Sequence, residues 1–483
     1  MKARPLTLIL FQLTVVAVFA GAPPMPVVDT MQSVCYDEQK PISPPAPGTR
    51  FAGQDAQHSG APAAYQDNGD GTISDLTTGL MWSKGVDSEK VSLDEAEETA
   101  RLLKLGGHRD WRVPTIKELY SLIDFRGVTG LFNPGDMGRV PPAAIPYLNT
   151  DYFDFAYGQA NKGDRFIDAQ WLSSTRYTST TMNNNATLFG VNFADGRIKG
   201  YPDGGRKKYY VRYVRGAAYG TNDFHDNGDG TVTDCSTGLV WMKSDSGKAM
   251  SWEESLKFAE NLNLAGKNDW RVPNAKELLS IVDYTRAPDT SDSPAINPIF
   301  NTTEILNEAG KKDWPYFWSS TTHLDGPDAS PAVYVAFGRA IGEMNGHIMD
   351  AHGAGAQRSD PKTGKAGLGY GPQGDSRRIA NFFRCVRGGP VSDSKPVAAT
   401  SDHYPQTVRH DGLTRKPELI NVRMPGRSPA GGSNFIRRLD IDGDGRVSAK
   451  EFDGPADAFP REDKNHDGFL TEGEAPTGHG RRE

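Results

Sequence analysis

Two short stretches near the C-terminus carry the densest oxygen chemistry in the chain. The first is Asp440-Ile-Asp442-Gly-Asp444-Gly445-Arg446-Val447-Ser448-Ala-Lys-Glu451. Ca2+ is a hard cation that takes about six to eight oxygens, and a twelve-residue EF-hand loop supplies them at fixed positions. Asp440, Asp442 and Asp444 would give side-chain oxygens. The Arg446 carbonyl would add one, Ser448 another through water, and Glu451 two more. Gly445 permits the sharp bend.

The second stretch, Asp463-Lys-Asn465-His-Asp467-Gly468-Phe469-Leu470-Thr471-Glu-Gly-Glu474, fills the same positions. Its ligands would be Asp463, Asn465, Asp467, the Phe469 carbonyl, Thr471 and Glu474. Asn465 replaces a carboxylate, which predicts weaker binding. Val447 is expected to pair with its counterpart in the second loop. The joining segment carries Gly454-Pro455 and Pro460, which excludes long helices. Residues 433–477 therefore read as a compact α-helical EF-hand pair with Ca2+ as cofactor, structural or buffering rather than a sensor.

Other candidate sites are weaker. Asp67-Asn-Gly-Asp70-Gly-Thr recurs at Asp226-Asn-Gly-Asp229-Gly-Thr, but glycines fill the third and fifth positions and no Glu closes the loop. Hairpin turns are the better reading. Arg197, Lys199, Arg206, Lys207 and Lys208 form a basic cluster that could meet an anionic or sulfated glycan; a solvated charged hairpin is the alternative. His58, His108, His225, His323, His347 and His352 lack ligand spacing. No nucleophile motif or phosphate loop is present, so the chain reads as a non-enzyme. The net charge of −7, with 54 basic and 61 acidic residues mixed, gives no support for nucleic acid as a partner.

The elements that must position these residues repeat. Asp67 to Asp75, Thr78-Gly-Leu-Met-Trp82, Asp110-Trp-Arg-Val-Pro114 and Lys117-Glu-Leu119 return as Asp226 to Asp234, Thr237-Gly-Leu-Val-Trp241, Asp269-Trp-Arg-Val-Pro273 and Lys276-Glu-Leu278, each 159 residues later. Ser92-Leu-Asp-Glu95, Thr115-Ile-Lys-Glu118, Ser251-Trp-Glu-Glu254 and Asn274-Ala-Lys-Glu277 have the capping-box spacing, so each copy predicts two helices. Strand-forming segments follow at Leu172-Ser-Ser-Thr175 and Trp318-Ser-Ser-Thr321, and end at Arg212-Tyr-Val-Arg-Gly216 and Arg384-Cys-Val-Arg-Gly388. Segregated strands and helices argue an α+β fold with a mainly antiparallel sheet. Trp82, Trp111, Trp241 and Trp270 are expected in the cores. Arg112 and Arg271 are expected to hold carboxylates or strand ends.

Residues 65–216 and 217–389 are thus two tandem domains. The long segments 127–165 and 343–380 are where ligand contacts are sought, with solvated decoration as the alternative. Residues 390–432, rich in Pro and Gly, read as a disordered linker. Residues 23–64 read as a loosely structured lead-in. Residues 1–22, with Lys2 and Arg4 before an apolar run to Ala20, read as an export signal too short to span a membrane. The protein is expected to be secreted, periplasmic or at the cell surface, without a membrane span after cleavage.

Of three cysteines, Cys235 and Cys385 occur only in the second copy, opposite Leu76 and Tyr213 of the first. Their joint presence predicts a Cys235–Cys385 disulfide, with two buried free thiols as the alternative.

These strings resemble the Lcl_C domain, a family named for the C-terminus of a Legionella collagen-like adhesin. The resemblance rests on Asp-Asn-Gly-Asp-Gly-Thr-x-x-Asp, Thr-Gly-Leu-x-Trp, Asp-Trp-Arg-x-Pro-x-x-Lys-Glu-Leu, Ser-Ser-Thr, and Arg384-Cys-Val-Arg-Gly388. It covers residues 65–389, twice over. It implies a surface-associated role and, by analogy with the named adhesin, binding of sulfated glycans. The element order is also similar to C-type lectin and formylglycine-generating-enzyme folds, although no counterpart of the latter's catalytic site is present. An exported calcium-binding protein with two lectin-like domains that recognise a glycan is the leading reading. An enzyme on the same scaffold and a structural envelope protein are the alternatives.

Overall fold

The computed structural model describes residues 25–87, 89–131, 139–182, 184–204, 207–389, 446–449, 452, 459–471 and 474. The expected export signal and the expected linker lie outside these residues. The described part is sheet-rich and mainly antiparallel with a few short helices, an α+β architecture.

The chain opens with a small hairpin, β1 (Cys35–Tyr36) and β2 (Pro41–Ile42). The first unit follows: β3 (Tyr65–Asp67), β4 (Thr72–Asp75), β5 (Met81–Ser83), α1 (Leu93–Leu102), α2 (Ile116–Ser121), β6 (Gln170–Thr181), β7 (Asn185–Asn192), β8 (Arg197–Pro202) and β9 (Val214–Arg215). The second begins with β10 (Phe224–Asp226), β11 (Thr231–Asp234), β12 (Leu239–Met242), α3 (Trp252–Glu260), α4 (Ala275–Ser280) and α5 (Pro288–Ser291). It continues with β13 (Ile305–Leu306), β14 (Lys312–Asp313), β15 (Tyr316–Thr322), β16 (Pro331–Ala336), β17 (Ile341–Met344), β18 (His347–Asp350), β19 (Gln357–Pro361), β20 (Gly367–Tyr370), β21 (Asp375–Arg377) and β22 (Val386–Gly388).

Local chemistry sets the element ends. Ser92, Thr115, Ser251 and Asn274 each accept the N–H three residues on, and the Glu at that position returns to the cap N–H. Two otherwise orphaned donors at each helix start are thereby satisfied. The Asp67 and Asp226 strings are turns: β3 pairs β4 and β10 pairs β11 in the same register, with Gly69 and Gly71 at φ 74° and 87°. In each unit the last strand returns beside the third, giving the orders β3-β4-β5-β9 and β10-β11-β12-β22.

The two units share one sheet, of order β15-β16-β19-β8-β7-β6. Its joint is the pairing of Gln357 with Ile198. One face of this sheet carries Phe189, Val191, Ile198, Phe317, Val333 and Val335 into a single core fed by both units. The opposite face carries two separate clusters, one under α1 and one under α3. The helices α2 and α4 meet with near two-fold reciprocity. Lys117 donates to the Ser280 carbonyl at 2.7 Å, and Lys276 donates to the Ser121 carbonyl at 2.9 Å. Burial lowers both ammonium pKa values to about 8.

Two expectations are corrected. Residues 25–62 are not a loose lead-in; they form a strap packed mainly on the second unit. Phe51 lies 6.3 Å from Trp252, ring to ring, and Asp55 accepts from Thr30 Oγ1 at 2.7 Å and Thr321 Oγ1 at 2.6 Å. Low periodicity hid this, because the strap is held by single side chains rather than by a repeating face. The Cys235–Cys385 disulfide is also absent: Cys35, Cys235 and Cys385 are free thiols. The register gives the reason. Cys235 follows β11 at the end where Asp234 meets Leu239, whereas Cys385 lies at the Met242 end of β12. Strand β12 and several residues of rise separate them, well beyond the roughly 4.4–6.8 Å between Cα atoms that a disulfide needs.

Candidate functional site

In the tail, β23 (Val447–Ser448) and β24 (Phe469–Leu470) pair antiparallel, with Val447 opposite Leu470. These are the eighth positions of the two loops. Val447 and Leu470 are buried with Phe459, the first residue of a short helical turn Phe459–Glu462. Arg446 stacks over the Phe469 ring at 4.2 Å. Of the first loop's expected ligands, Asp440, Asp442, Asp444 and Glu451 lie outside the described residues, while Arg446 and Ser448 sit on or beside β23.

All six expected positions of the second loop are described. Asp463 is almost fully buried. Its oxygens accept from the Asp467 and Gly468 N–H groups at 3.2 and 3.0 Å. Glu474 folds back to accept from the Thr471 hydroxyl at 2.7 Å and from the Asn465 and Thr471 N–H groups at 3.2 and 3.1 Å; the hydroxyl first, and then the N–H groups, hold its carboxyl pKa below the usual range. Gly468 takes φ 85°, where a Cβ would be strained. Among the described residues no group of three or more His, Cys, Asp or Glu is arranged to hold a metal ion. The donor set nonetheless fits a hard cation. It offers oxygens alone, and a carboxylate oxygen that accepts one N–H keeps further acceptor capacity.

The basic cluster does not form a surface patch. Arg197 pairs with Asp325 of the second unit. Lys199 is mostly buried beside Asp195 at 3.1 Å, and burial lowers its pKa to about 8. Lys208 bridges to Glu95 at 2.8 Å, Lys207 is exposed, and Arg206 lies outside the described residues. The first two serve the seam between the units, because β8 is the strand that meets β19. His352 is likewise structural, hydrogen-bonded to Asp375 at 2.6 Å and to Arg358 at 2.9 Å.

A concavity of about 570 Å³ lies on the second unit over α3. Met250, Phe258 and Leu262 give it an apolar floor, and Lys248, Lys257 and Glu254 give it a charged rim. The first unit has Glu89, Glu98 and Thr99 at the positions of Lys248, Lys257 and Phe258, 159 residues earlier. There Tyr213 hydrogen-bonds Thr99, and the second unit has Cys385 at the position of Tyr213.

The model of the Lcl C-terminal domain (Lcl_C) matches residues 71–215 and again residues 230–351, more than half of the chain. The chain belongs to the Lcl_C family. No curated protein and no solved structure matches it.

The motif residues of the two Lcl_C units have structural jobs. Trp82, Trp111, Trp241 and Trp270 are buried. Arg112 forms a two-pronged pair with Glu118, both bonds 2.6 Å, and Arg271 does the same with Glu277 at 2.5 and 2.6 Å. Each Glu is also the capping residue of its helix, so one carboxylate ties the helix start to the entry strand. Lys117 and Lys276 join the units. Arg212 and Arg384 are fully buried, donating to the carbonyls of Ser83, Lys84 and Asp154 and of Met242, Lys243 and Asn301. Arg112 and Arg271 were expected to hold carboxylates or strand ends, and each holds a carboxylate; the roles of Lys117, Lys276, Arg212 and Arg384 were not read from the sequence, where a charge retained in both copies of a repeat beside apolar residues was the available signal. The α3 groove was also missed, although subtracting one copy from the other exposes it.

Proposed function

We propose that this chain is an exported calcium-binding recognition protein. Its two lectin-like Lcl_C units would bind an extracellular glycan without chemically changing it, and its tail would be an EF-hand pair. The observation that carries the calcium reading is the ladder between Val447 and Leu470, which joins two oxygen-rich loops at equivalent positions. The return of the last strand beside the third in each unit supports a lectin-like or formylglycine-generating-enzyme-like fold. The glycan would lie in the α3 groove. An aromatic ring with Lys248 and Lys257 around it suits a saccharide that bears carboxylate or sulfate groups.

Titrating Ca2+ into the purified chain by calorimetry tests the first half. Two sites with affinities of roughly 10⁻⁴–10⁻³ M are expected, and Glu474→Gln removes one of them. No heat at millimolar calcium rejects the reading. A glycan array probed with and without Ca2+ tests the second half. Retention of anionic saccharides, lost in Lys248→Glu/Lys257→Glu, is expected; an empty array under both conditions rejects it.

A further inference from the structure

The strap meets residues far downstream of itself. The Gln32 side chain takes both backbone groups of Thr322: Nε2 donates to the carbonyl at 2.8 Å, and Oε1 accepts from the N–H at 2.9 Å, across 290 residues. Asp55 reaches Thr321 across 266 residues. Lys362 Nζ donates to the Asp37 carbonyl at 2.8 Å, across 325 residues. Lys276 donates to the Asp29 carbonyl at 2.9 Å, and Arg50 grips Glu253 at 2.7 Å through both Nε and Nη2.

The seat for these contacts is built wholly by the second unit. Thr321 and Thr322 end β15, Lys276 is on α4, Glu253 and Trp252 open α3, and Lys362 follows β19. None of these surfaces exists until those elements have packed together. The first unit offers no equivalent seat: Glu97 stands where Leu256 lines the strap's cleft, and β6 runs on to Thr181 past the Ser-Ser-Thr175 string that matches Ser-Ser-Thr321. Closing a loop costs entropy that grows with its length, and contacts between distant residues form slowly. With the first unit the strap also bonds at Phe125, whose N–H donates to the Thr30 carbonyl at 2.9 Å, but its most distant contacts, across 266 to 325 residues, are all with the second.

We infer that residues 25–62 are a late-closing clasp, docking only after the second unit has assembled and thereby completing the joint between the units. This goes beyond the calcium and glycan reading and does not depend on it.

Pulsed hydrogen exchange during refolding of the whole chain tests the inference. The Asp29, Tyr36 and Thr322 amides, whose acceptors are the Ala61 carbonyl and the Gln54 and Gln32 side chains, should gain protection after the amides of β6–β7 and β15–β16. In Gln32→Ala the Thr322 amide should lose its protection while β3–β5 are unchanged. Strap amides protected with or before β15–β16 would overturn the inference. So would a Gln32→Ala chain in which both units fold equally slowly, which would place the strap in the folding nucleus. Should that variant not fold, the order in the unaltered chain decides alone.

Discussion

The two Lcl_C units keep the same frame and differ in what covers it. Both have the capping boxes, the Arg–Glu pair behind each second helix and the buried Arg that pins the last strand. The first unit sets Tyr213 against Thr99 of α1 and carries Glu89 and Glu98 there. The second leaves a groove over α3, accepts the strap on its far side, and inserts the four-stranded sheet β18-β17-β21-β20 between its late strands. The two copies thus share what holds a unit together and differ in their surfaces.

The largest effect should come from the shared frame. Arg212 stacks 4.8 Å over Trp171 and 4.9 Å over Phe153, and Arg384 stacks 4.8 Å over Phe300. Burial lowers their pKa values, to about 9 and about 10, yet both remain cationic at neutral pH. Removing either guanidinium takes a donor from three carbonyls, of which those of Lys84 and Lys243 keep the Asp154 and Asn301 N–H groups; a buried polar group left fully orphaned costs about 1–3 kcal/mol. Arg212→Ala and Arg384→Ala should each lower stability by about 3–5 kcal/mol in denaturant melts, and by similar amounts. A large inequality would break the claim that the frame is equivalent in both units.

The next effect should belong to one unit only. Burial raises the Asp55 pKa above its ordinary value of 3.8, with Asp29 and then Glu277 adding to the shift. Lys276, Arg271, Tyr120 and Cys35 also face this carboxyl. A carboxyl whose pKa is higher folded than unfolded gives stability that is complete below about pH 4 and lost as the pH rises toward the folded value. The slope is at most about 1.4 kcal/mol per pH unit. Exchange at Thr322 should therefore quicken with rising pH beyond the intrinsic rate change. Asp55→Asn, which cannot ionise, should flatten that excess, and amides of β3–β5 should show none.

Much of the frame was legible from sequence because it depends on spacing. Ser92 with Glu95 and Thr115 with Glu118 mark helix starts by a rule of three residues, and the Leu172-Ser-Ser-Thr175 and Trp318-Ser-Ser-Thr321 strings mark β6 and β15. The joint between the units was not legible. Ile198 and Gln357 carry no mark of pairing, and Arg197 with Lys199 reads as surface charge until Asp325 and Asp195 are brought beside them. The insertion strands β17 to β21 were hidden for a different reason: Gly and His dilute their alternation, as at Gly342 and His347. In the tail, the expected pairing of Val447 with its counterpart in the second loop is observed, with Leu470.

A smaller effect should sharpen the contrast between the grooves. Lys248→Glu and Lys257→Glu place the first unit's residues on the second. Exposed charge contacts contribute about 0.2–1 kcal/mol each, so the pair should weaken binding of the proposed anionic saccharide by about twofold to thirtyfold, measured by titration at low salt. The reverse changes, Glu89→Lys and Glu98→Lys, should create no binding, because Thr99 still stands where Phe258 lines the groove. Binding gained there would show that charge alone, and not the aromatic groove, makes the site.

The smallest effect should be at Cys235. It sits in an exposed turn, while Cys385 is fully buried and its thiol pKa is pushed far up by burial. A thiol held that far toward its protonated form is a poor nucleophile and packs as a small apolar group. Cys235→Ser should thus change stability by less than about 0.5 kcal/mol, and a reductant should leave the melting temperature of the unaltered chain where it was. A fall in both would mean that the two sulfurs meet after all. The β11-β12-β22 register would then have to slip, since β12 stands between them, and the second unit would owe its distinct surface to a cross-link instead of to the small side chain at position 385.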